Sequence, residues 1–291
     1  MTLVAPNFRM FALARGLLLA GATAALASCS MFDDFNPFGA EKYKMVIEPD
    51  VPASKAYDQG LAQLADGAPQ DAAKKFTDLG EKFPDSDWAR KGLLMTTYAQ
   101  YEAGDFDSTE SSAERYVKLY PKSQEAAYAL YLEASSYYRQ IPDISRDQER
   151  AAKALVAFQQ VVKDYPKSEY VEDSKYKIQV TMDQLAGKEM SIGRFYLNRR
   201  NYTAAINRFR NVLTAYQTTR HSEEALYRLV ESYLGLGITD EAQTAAAVLG
   251  HNFPDGQWYK DAYNLLKSGG LSPQENQQSW ISKLYHSVVP S

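Results

Sequence analysis

A short proline phrase punctuates this chain and limits what it can become. It reads Phe83-Pro84-Asp85-Ser86, Tyr120-Pro121-Lys122-Ser123, Tyr165-Pro166-Lys167-Ser168 and Phe253-Pro254-Asp255-Gly256, with a weakened copy at Tyr216-Gln217-Thr218-Thr219. Proline lacks the N–H that a helix interior needs and its ring collides with the preceding turn, so each phrase marks a helix end. With the proline (or Gln217) as origin, the spacings are 37, 45, 51 and 37 residues. The register inside each unit is fixed as well. Twelve residues before the origins stand Ala72, Thr109, Ala154, Ala205 and Ala242; eight before stand Phe76, Ala113, Phe158, Phe209 and Ala246. Positions four apart share one helix face, and small residues let two helices approach closely. Gly60 and Gly193 lie 24 before the first and fourth origins; Tyr196 and Tyr233 follow in units four and five, each preceded four residues earlier by Ile192 and Leu229.

This pattern resembles the tetratricopeptide repeat, a helix pair of about 34 residues that closes on a proline and buries its apolar faces only by stacking on its neighbours. The fold expected is all-α, a solenoid of five helix pairs over residues 53–268. Two units are longer than the period. The third carries a polar, proline-broken loop from Gln140 to Asp147. The excess before the fourth coincides with Tyr170 to Leu185, where Tyr176, Ile178, Val180, Met182 and Leu185 form a helical stripe without a breaker. The first helix of unit four is therefore expected to be extended, with Gly187 tolerated inside it or marking a kink. Trp258 to Leu266 reads as a closing helix. In the tail, residues 269–291, Trp280, Ile281, Leu284, Tyr285 and Val288 recur at helical spacing. That segment is either a cap or a partner-docking helix, and the need to cover a solenoid end favours the cap.

The N-terminus is of a different kind. Arg9 and Arg15 precede an apolar stretch, Leu17 to Ala27, that ends in small residues and is too short to span a bilayer. Leu26-Ala27-Ser28-Cys29 then resembles the lipobox of bacterial lipoproteins. The resemblance implies cleavage of residues 1–28 and acylation of Cys29, the sole cysteine, with outer-membrane, periplasm-facing retention because Ser30 rather than Asp follows. Several acyl chains on one residue suffice for stable anchoring. Residues 29–52, with Asn36-Pro37, Gly39, Pro49 and Pro52, read as a tether.

Composition and motifs exclude most chemistry. A net charge of −4 argues against nucleic-acid binding. His221, His251 and His286 stand in no metal-ligand spacing, and no nucleophile elbow, P-loop or dinucleotide fingerprint occurs, so neither a metal nor a cofactor nor catalysis is expected. Recognition remains. The chain has 21 Tyr against three Trp, more aromatic surface than a core requires. Two areas are candidates for a binding surface: Tyr57, Trp88, Tyr98 and Tyr101 in the first two units, and a basic run in the fourth, Arg194, Arg199, Arg200, Arg208 and Arg210. Inter-helix packing is the competing explanation for the tyrosines, and a solvated face for the arginines.

A lipobox followed by such repeats resembles the BamD family, the lipoproteins of the outer-membrane β-barrel assembly machine. The resemblance spans roughly residues 50 to 250. It is sharpest at Glu189, Tyr196, Arg199, Tyr202, Ala204 and the Asn207-Arg208 pair, at Arg115-Tyr116-Val117-Lys118-Leu119-Tyr120-Pro121, and at Tyr165 to Tyr170. It implies that the C-terminal repeats hold a POTRA domain of a BamA-like barrel protein, with Arg208, Asn207, Tyr202 and Arg199 at the contact. It further implies other assembly-machine lipoproteins as partners, and unfolded outer-membrane proteins received by the N-terminal repeats. Gln217 departs from the family's usual proline, and the Trp280 tail is unfamiliar. The rival reading is a periplasmic tetratricopeptide scaffold for peptidoglycan synthesis or hydrolysis, or for Tol–Pal coupling; a murein hydrolase lacks any nucleophile or carboxylate in motif context.

Overall fold

A computed structural model of the chain describes residues 51–288, and those residues are all-helical, with no strand among them. The expected signal segment, Cys29 and all of the expected tether before residue 51 lie outside the described residues. Helices α1 (Ala53–Ala65), α2 (Pro69–Lys82), α3 (Asp87–Glu102), α4 (Phe106–Leu119), α5 (Ala126–Arg139), α6 (Glu149–Asp164), α7 (Val171–Asn198), α8 (Tyr202–Ala215), α9 (Ser222–Gly235) and α10 (Thr239–Asn252) pack each on the next. The first helices of successive pairs also stack, α1 on α3, α3 on α5, α7 on α9 and α9 on α11 (Gln257–Ser268). No described helix is long and apolar enough to cross a membrane.

Two turns repeat and explain the punctuation. After every second helix the aromatic of the phrase caps the helix and then accepts a backbone hydrogen bond from the residue three further on: Ser86 to Phe83, Ser123 to Tyr120, Ser168 to Tyr165, Thr219 to Tyr216 and Gly256 to Phe253, at 2.9–3.2 Å. The copy without proline keeps this backbone turn and adds side-chain hydrogen bonds to it. The Thr219 hydroxyl donates to the Tyr216 carbonyl at 2.7 Å and Ser222 to that of Gln217 at 2.6 Å. Within four of the pairs, and again after α11, the connection is a left-handed C-terminal cap whose following N–H reaches five residues back, as in Asp105 to Gln100 and Ile238 to Tyr233, each 2.9 Å.

The register positions hold the pairs together by trading volume. A Cβ on Gly60 would lie 2.5 Å from the Phe76 ring, and one on Gly193 would lie 2.4 Å from the Phe209 ring; both rings are fully buried. In pairs two and five the phenylalanine position holds Ala113 or Ala246, and the glycine position is filled by Thr97 or Val230, all fully buried. A large residue on one helix is matched by a small one on its mate, as close packing requires.

The lengthened parts of the chain meet. Helix α7 has 28 residues without a break. Its first half gives Ile178 to the core around Phe158, and its second half gives Ala186 and Met190 to the core that continues through Phe209, Leu226, Leu249 and Leu266 to Ile281. The loop between α5 and α6 fills the space beside its middle. Gln184 donates to the Pro142 carbonyl at 3.1 Å, Lys188 to that of Ser145 at 2.9 Å, and Ile144 lies where a side chain on Gly187 would be, 2.7 Å from its Cβ position. Gly187 therefore marks a close approach, not a kink.

The tail forms the expected helix, α12 (Trp280–Val288), but it does not stack beyond α11. Residues 272–279 double back along α10, where Gln243 donates to the Ser272 carbonyl at 2.8 Å and Ser279 donates to Glu241 at 2.7 Å. This seats Ile281 and Tyr285 in the C-terminal core, with the Trp280 indole donating to the Tyr233 hydroxyl at 3.0 Å.

Candidate functional site

Helix α8 carries Asn207, Arg208 and Asn211 on the face opposite Ala205 and Phe209, which are buried in the core. Three and four residues apart, Ala204, Asn207, Arg208 and Asn211 line one side of an open groove of about 300 Å³, and Tyr196 of α7 lines the other. The guanidinium of Arg208 donates through Nη1 to both oxygens of Glu189, at 3.2 and 3.3 Å, and Asn211 donates to the same carboxylate at 3.1 Å. The two ends of the Glu189-to-Arg208 motif thus meet across α7 and α8. Arg208 stays partly solvent-exposed at 39%, with donors to spare, while Glu189 is mostly covered. Burial, and then the charge of Glu189, raises the nearby Tyr216 phenol above its ordinary value.

The other two residues expected at this contact are placed differently. Tyr202 opens α8 on its core side and lays its ring against Gly235 at the end of α9, where a Cβ would meet it at 2.5 Å. Arg199 follows the end of α7 and stacks over the exposed Phe195 ring at 4.2 Å. Asn207 and Arg208 share the groove; Tyr202 is inter-helix packing, and Arg199 belongs to the edge of the solenoid.

The basic run is divided in the same way. Arg194 forks onto Glu224 at 2.8 and 2.7 Å, and Arg228 links Glu224 to Glu231 at 3.2 and 2.7 Å. Burial would raise the Glu224 carboxyl, but the hydrogen bonds and charge of Arg194 and Arg228 outweigh it and hold the group below the usual carboxylate range. Arg210 lies 4.8 Å over the Trp280 ring. Sequence spacing put five cations together; the fold pairs Arg194 and Arg208 with glutamates and lays Arg199 and Arg210 over aromatic rings.

The N-terminal aromatics form separate clusters. Tyr57 packs between Phe76 and Trp88, with ring centroids 5.4 and 5.6 Å apart, and Lys91 lies 4.7 Å from the Trp88 ring. Tyr101 packs against Phe106 at 6.0 Å under Arg139. Tyr98 begins a ladder that the sequence did not single out: Tyr98 to Tyr128 at 6.4 Å, Tyr128 to Tyr170 at 5.1 Å and Tyr170 to Tyr131 at 4.9 Å. Lys177 closes it, lying 4.6 Å over the Tyr131 ring, whose hydroxyl donates to Asp173 at 2.6 Å. The available signal was Tyr128 and Tyr131, three apart on one helix face and followed by Tyr170 after the proline phrase. Apart from the fully buried Phe76, these rings are half-buried. Burial, with Asp58 second, raises the Tyr57 phenol; burial, with Glu102 second, raises that of Tyr98. Among the described residues, no group of three or more His, Cys, Asp or Glu side chains is placed to hold a metal.

Comparison with known proteins covers the same helices. The family model described as outer membrane lipoprotein (YfiO) matches residues 49–249. A Caulobacter vibrioides protein named outer membrane protein assembly factor BamD is 43% identical over 235 residues, 81% of this chain and 77% of the relative. The protein of that name from Rickettsia prowazekii is 41% identical over 217 residues, 75% of this chain and 86% of its own length. One from Neisseria meningitidis serogroup A is 32% identical over 227 residues, covering 75% and 85%.

Proposed function

The chain belongs to the outer membrane lipoprotein family that matches residues 49–249, and on that premise we propose that it serves the assembly of outer-membrane proteins as a non-catalytic scaffold. The observation that carries this reading is the 43% identity to an assembly factor over 235 residues, 81% of the chain. Acylation at Cys29 holds the solenoid at the periplasmic side of the outer membrane. The fourth and fifth pairs dock a POTRA-bearing barrel protein. Asn207 and Arg208 present amide and guanidinium donors from a groove that Glu189 pre-orients. The half-buried tyrosines of the first pairs, with Trp88, offer aromatic edges to unfolded outer-membrane clients, and further lipoproteins of the machine bind elsewhere on the array.

Mild-detergent extraction of the tagged full-length protein, with mass spectrometry of stoichiometric partners, tests this. A POTRA-containing barrel protein is the expected partner. Substituting Arg208→Gln should weaken its retention while leaving the helical signal unchanged. Recovery of murein enzymes or Tol–Pal components without a barrel protein would overturn the reading.

A further inference from the structure

The proline phrases end helices in every pair, but the residues around them change charge from one pair to the next. Three residues before the origin and one after it stand Glu81 and Asp85 in the first pair, Lys118 and Lys122 in the second, and Lys163 and Lys167 in the third. The fourth pair has Thr214 and Thr218 there, and the fifth His251 and Asp255. Arg115 lies one turn before Lys118 on α4. The four lysines and Arg115 are exposed, and among the described residues none of them takes a carboxylate, whereas Lys74, Lys153, Lys175 and Lys177 each hold one. The helix dipole favours a lysine in the last turn, which accounts for Lys118 and Lys163 but fades before Lys122 and Lys167. The carboxylates of these stretches, Glu114 and Asp164, lie one position off the register.

The two basic phrases form one surface. The Tyr165 hydroxyl donates to the Pro121 carbonyl at 3.2 Å, which brings the stretches carrying Lys122 and Lys167 alongside each other. Tyr120 and Tyr165 also pack around the buried Tyr116. Val156 lies seven residues before Lys163 and Leu119 four after Arg115, so both share the cations' side of their helices. They project from it, Leu119 exposed at 53% and Val156 at 62%. Successive pairs stack closely through their first helices, α3 on α5, while the second helices stand farther apart, so α4 and α6 lie on the outside of the bend.

We propose that this outward face, the four lysines with Arg115, Leu119 and Val156, rests on an anionic phospholipid surface and sets how the solenoid is held against the membrane. Lysine ammonium groups are compact, hydrated point charges suited to headgroup phosphates. Each strengthens binding to such a surface roughly fivefold, and the two isolated apolar side chains reach into the headgroup layer. Protein interfaces instead gather aromatic and arginine anchors around a pocket; one arginine among four lysines is the reverse of that composition. A convex wall meets a flat surface over a limited arc, so pairs two and three touch lipid while Glu81 and Asp85 of the first pair turn away from it. That a membrane is within reach rests on the acyl-anchor reading of Cys29; the charge of the face does not.

The test uses the acylated protein, incorporated through its own acyl chains into vesicles of phosphatidylcholine with or without about 30% phosphatidylglycerol. Cys29 is the sole cysteine, so with that thiol acylated Leu119→Cys, Val156→Cys and Glu81→Cys each offer one site for a fluorescent probe. Brominated lipid should quench the probes at 119 and 156 about twofold when phosphatidylglycerol is present, and not in phosphatidylcholine alone or at about 0.5 M salt. The probe at 81 should stay unquenched throughout. Combining Lys118→Gln, Lys122→Gln, Lys163→Gln and Lys167→Gln should abolish the quenching with unchanged circular dichroism. Quenching that is absent with phosphatidylglycerol, equal in phosphatidylcholine alone, shared by the probe at 81 or retained by the glutamine variant would overturn the proposal. So would probes that lipid leaves unquenched and a copurifying protein shields, which would assign the face to that protein. If the purified chain carries no acyl group, the anchor reading fails instead. The face is then judged by cosedimentation of the same chain with phosphatidylglycerol vesicles, where the glutamine variant must lose binding by about a hundredfold or more for the proposal to stand.

Discussion

The trade of volume between paired helices can be measured directly. In the fourth pair Gly193 faces the Phe209 ring, with its Cβ position 2.4 Å from Cε1, 2.8 Å from Cζ and 2.9 Å from Cδ1. In the fifth pair the same two positions hold Val230 and Ala246, both fully buried. The perturbation is to rewrite the fourth pair as the fifth. Phe209→Ala alone removes a fully buried ring and should cost about 3–5 kcal/mol through lost transfer energy and a residual cavity. Gly193→Val alone forces two methyl groups into a ring that is walled in on all sides, for about 3 kcal/mol. The few tenths gained from replacing glycine within a helix do not offset this. In the double variant the valine occupies part of the vacated ring volume, so the two penalties relieve each other, with an expected coupling of about 2–3 kcal/mol. Urea unfolding of residues 29–291, followed by far-ultraviolet circular dichroism, reads all four corners of the cycle. Gly80→Ala is the control: its Cβ meets nothing nearer than the Ala89 carbonyl at 3.9 Å, so it should stabilise by about 0.5 kcal/mol. Additive single-site losses, within about 0.5 kcal/mol, would refute the reasoning and leave Gly193 without a packing role.

Two further outcomes follow from particular side chains. Burial, then the charges of Glu114 and Glu110, pushes the Glu133 carboxyl up to about 7. The folded chain then holds a proton that the unfolded chain has lost between about pH 4.5 and 7, so stability should decline across that window as pH rises, by up to about 1.4 kcal/mol per unit. Glu133→Gln should flatten this part of the profile and raise stability at pH 8, as read by urea midpoints at pH 5.5 and 8; an unchanged slope would show that the carboxylate is solvated. Trp280→Ala removes the stack on Arg210 and the hydrogen bond to Tyr233. It should cost about 2–3 kcal/mol and strip hydrogen-exchange protection from residues 280–287 while leaving α1–α6 protected; uniform loss of protection would contradict the local attachment of the tail.

What the sequence reveals here depends on repetition. Helix ends and core positions recur in five copies, so a register could be tested against itself, and the weakened copy at Gln217 was recognisable because its neighbours kept their offsets. Properties that occur once had no such check. The pairing of Arg208 with Glu189, the packing of Tyr202 against Gly235, the fork of Arg194 onto Glu224 and the stacking of Arg210 on Trp280 all depend on how α7, α8, α9 and α12 are rotated about their axes, which composition and spacing leave open. Arg200 is the instructive case. Its identity was visible as one of five clustered cations, but the left-handed φ of 58° that it shares with Gly67, Gly104, Gly237 and Gly270 emerges only when the turns are aligned.

The two insertions carry the same lesson further. Read along the chain, the loop at 140–147 and the lengthening of α7 are unrelated events in different units. In space each is incomplete alone. Helix α7 has 28 residues against 13 to 16 in α1, α3, α5 and α9, more than three extra turns whose flank the loop at 140–147 covers, and a proline-broken loop carries carbonyls that need donors. Gln184 and Lys188 supply those donors to Pro142 and Ser145, and glycine at 187 makes room for Ile144. The irregular periods are therefore one structural event distributed over two units. Helix α7, built into the cores on both sides of it, carries Lys177 over the Tyr131 ring of the third pair in its first half and Arg194 against Glu224 of the fifth in its second.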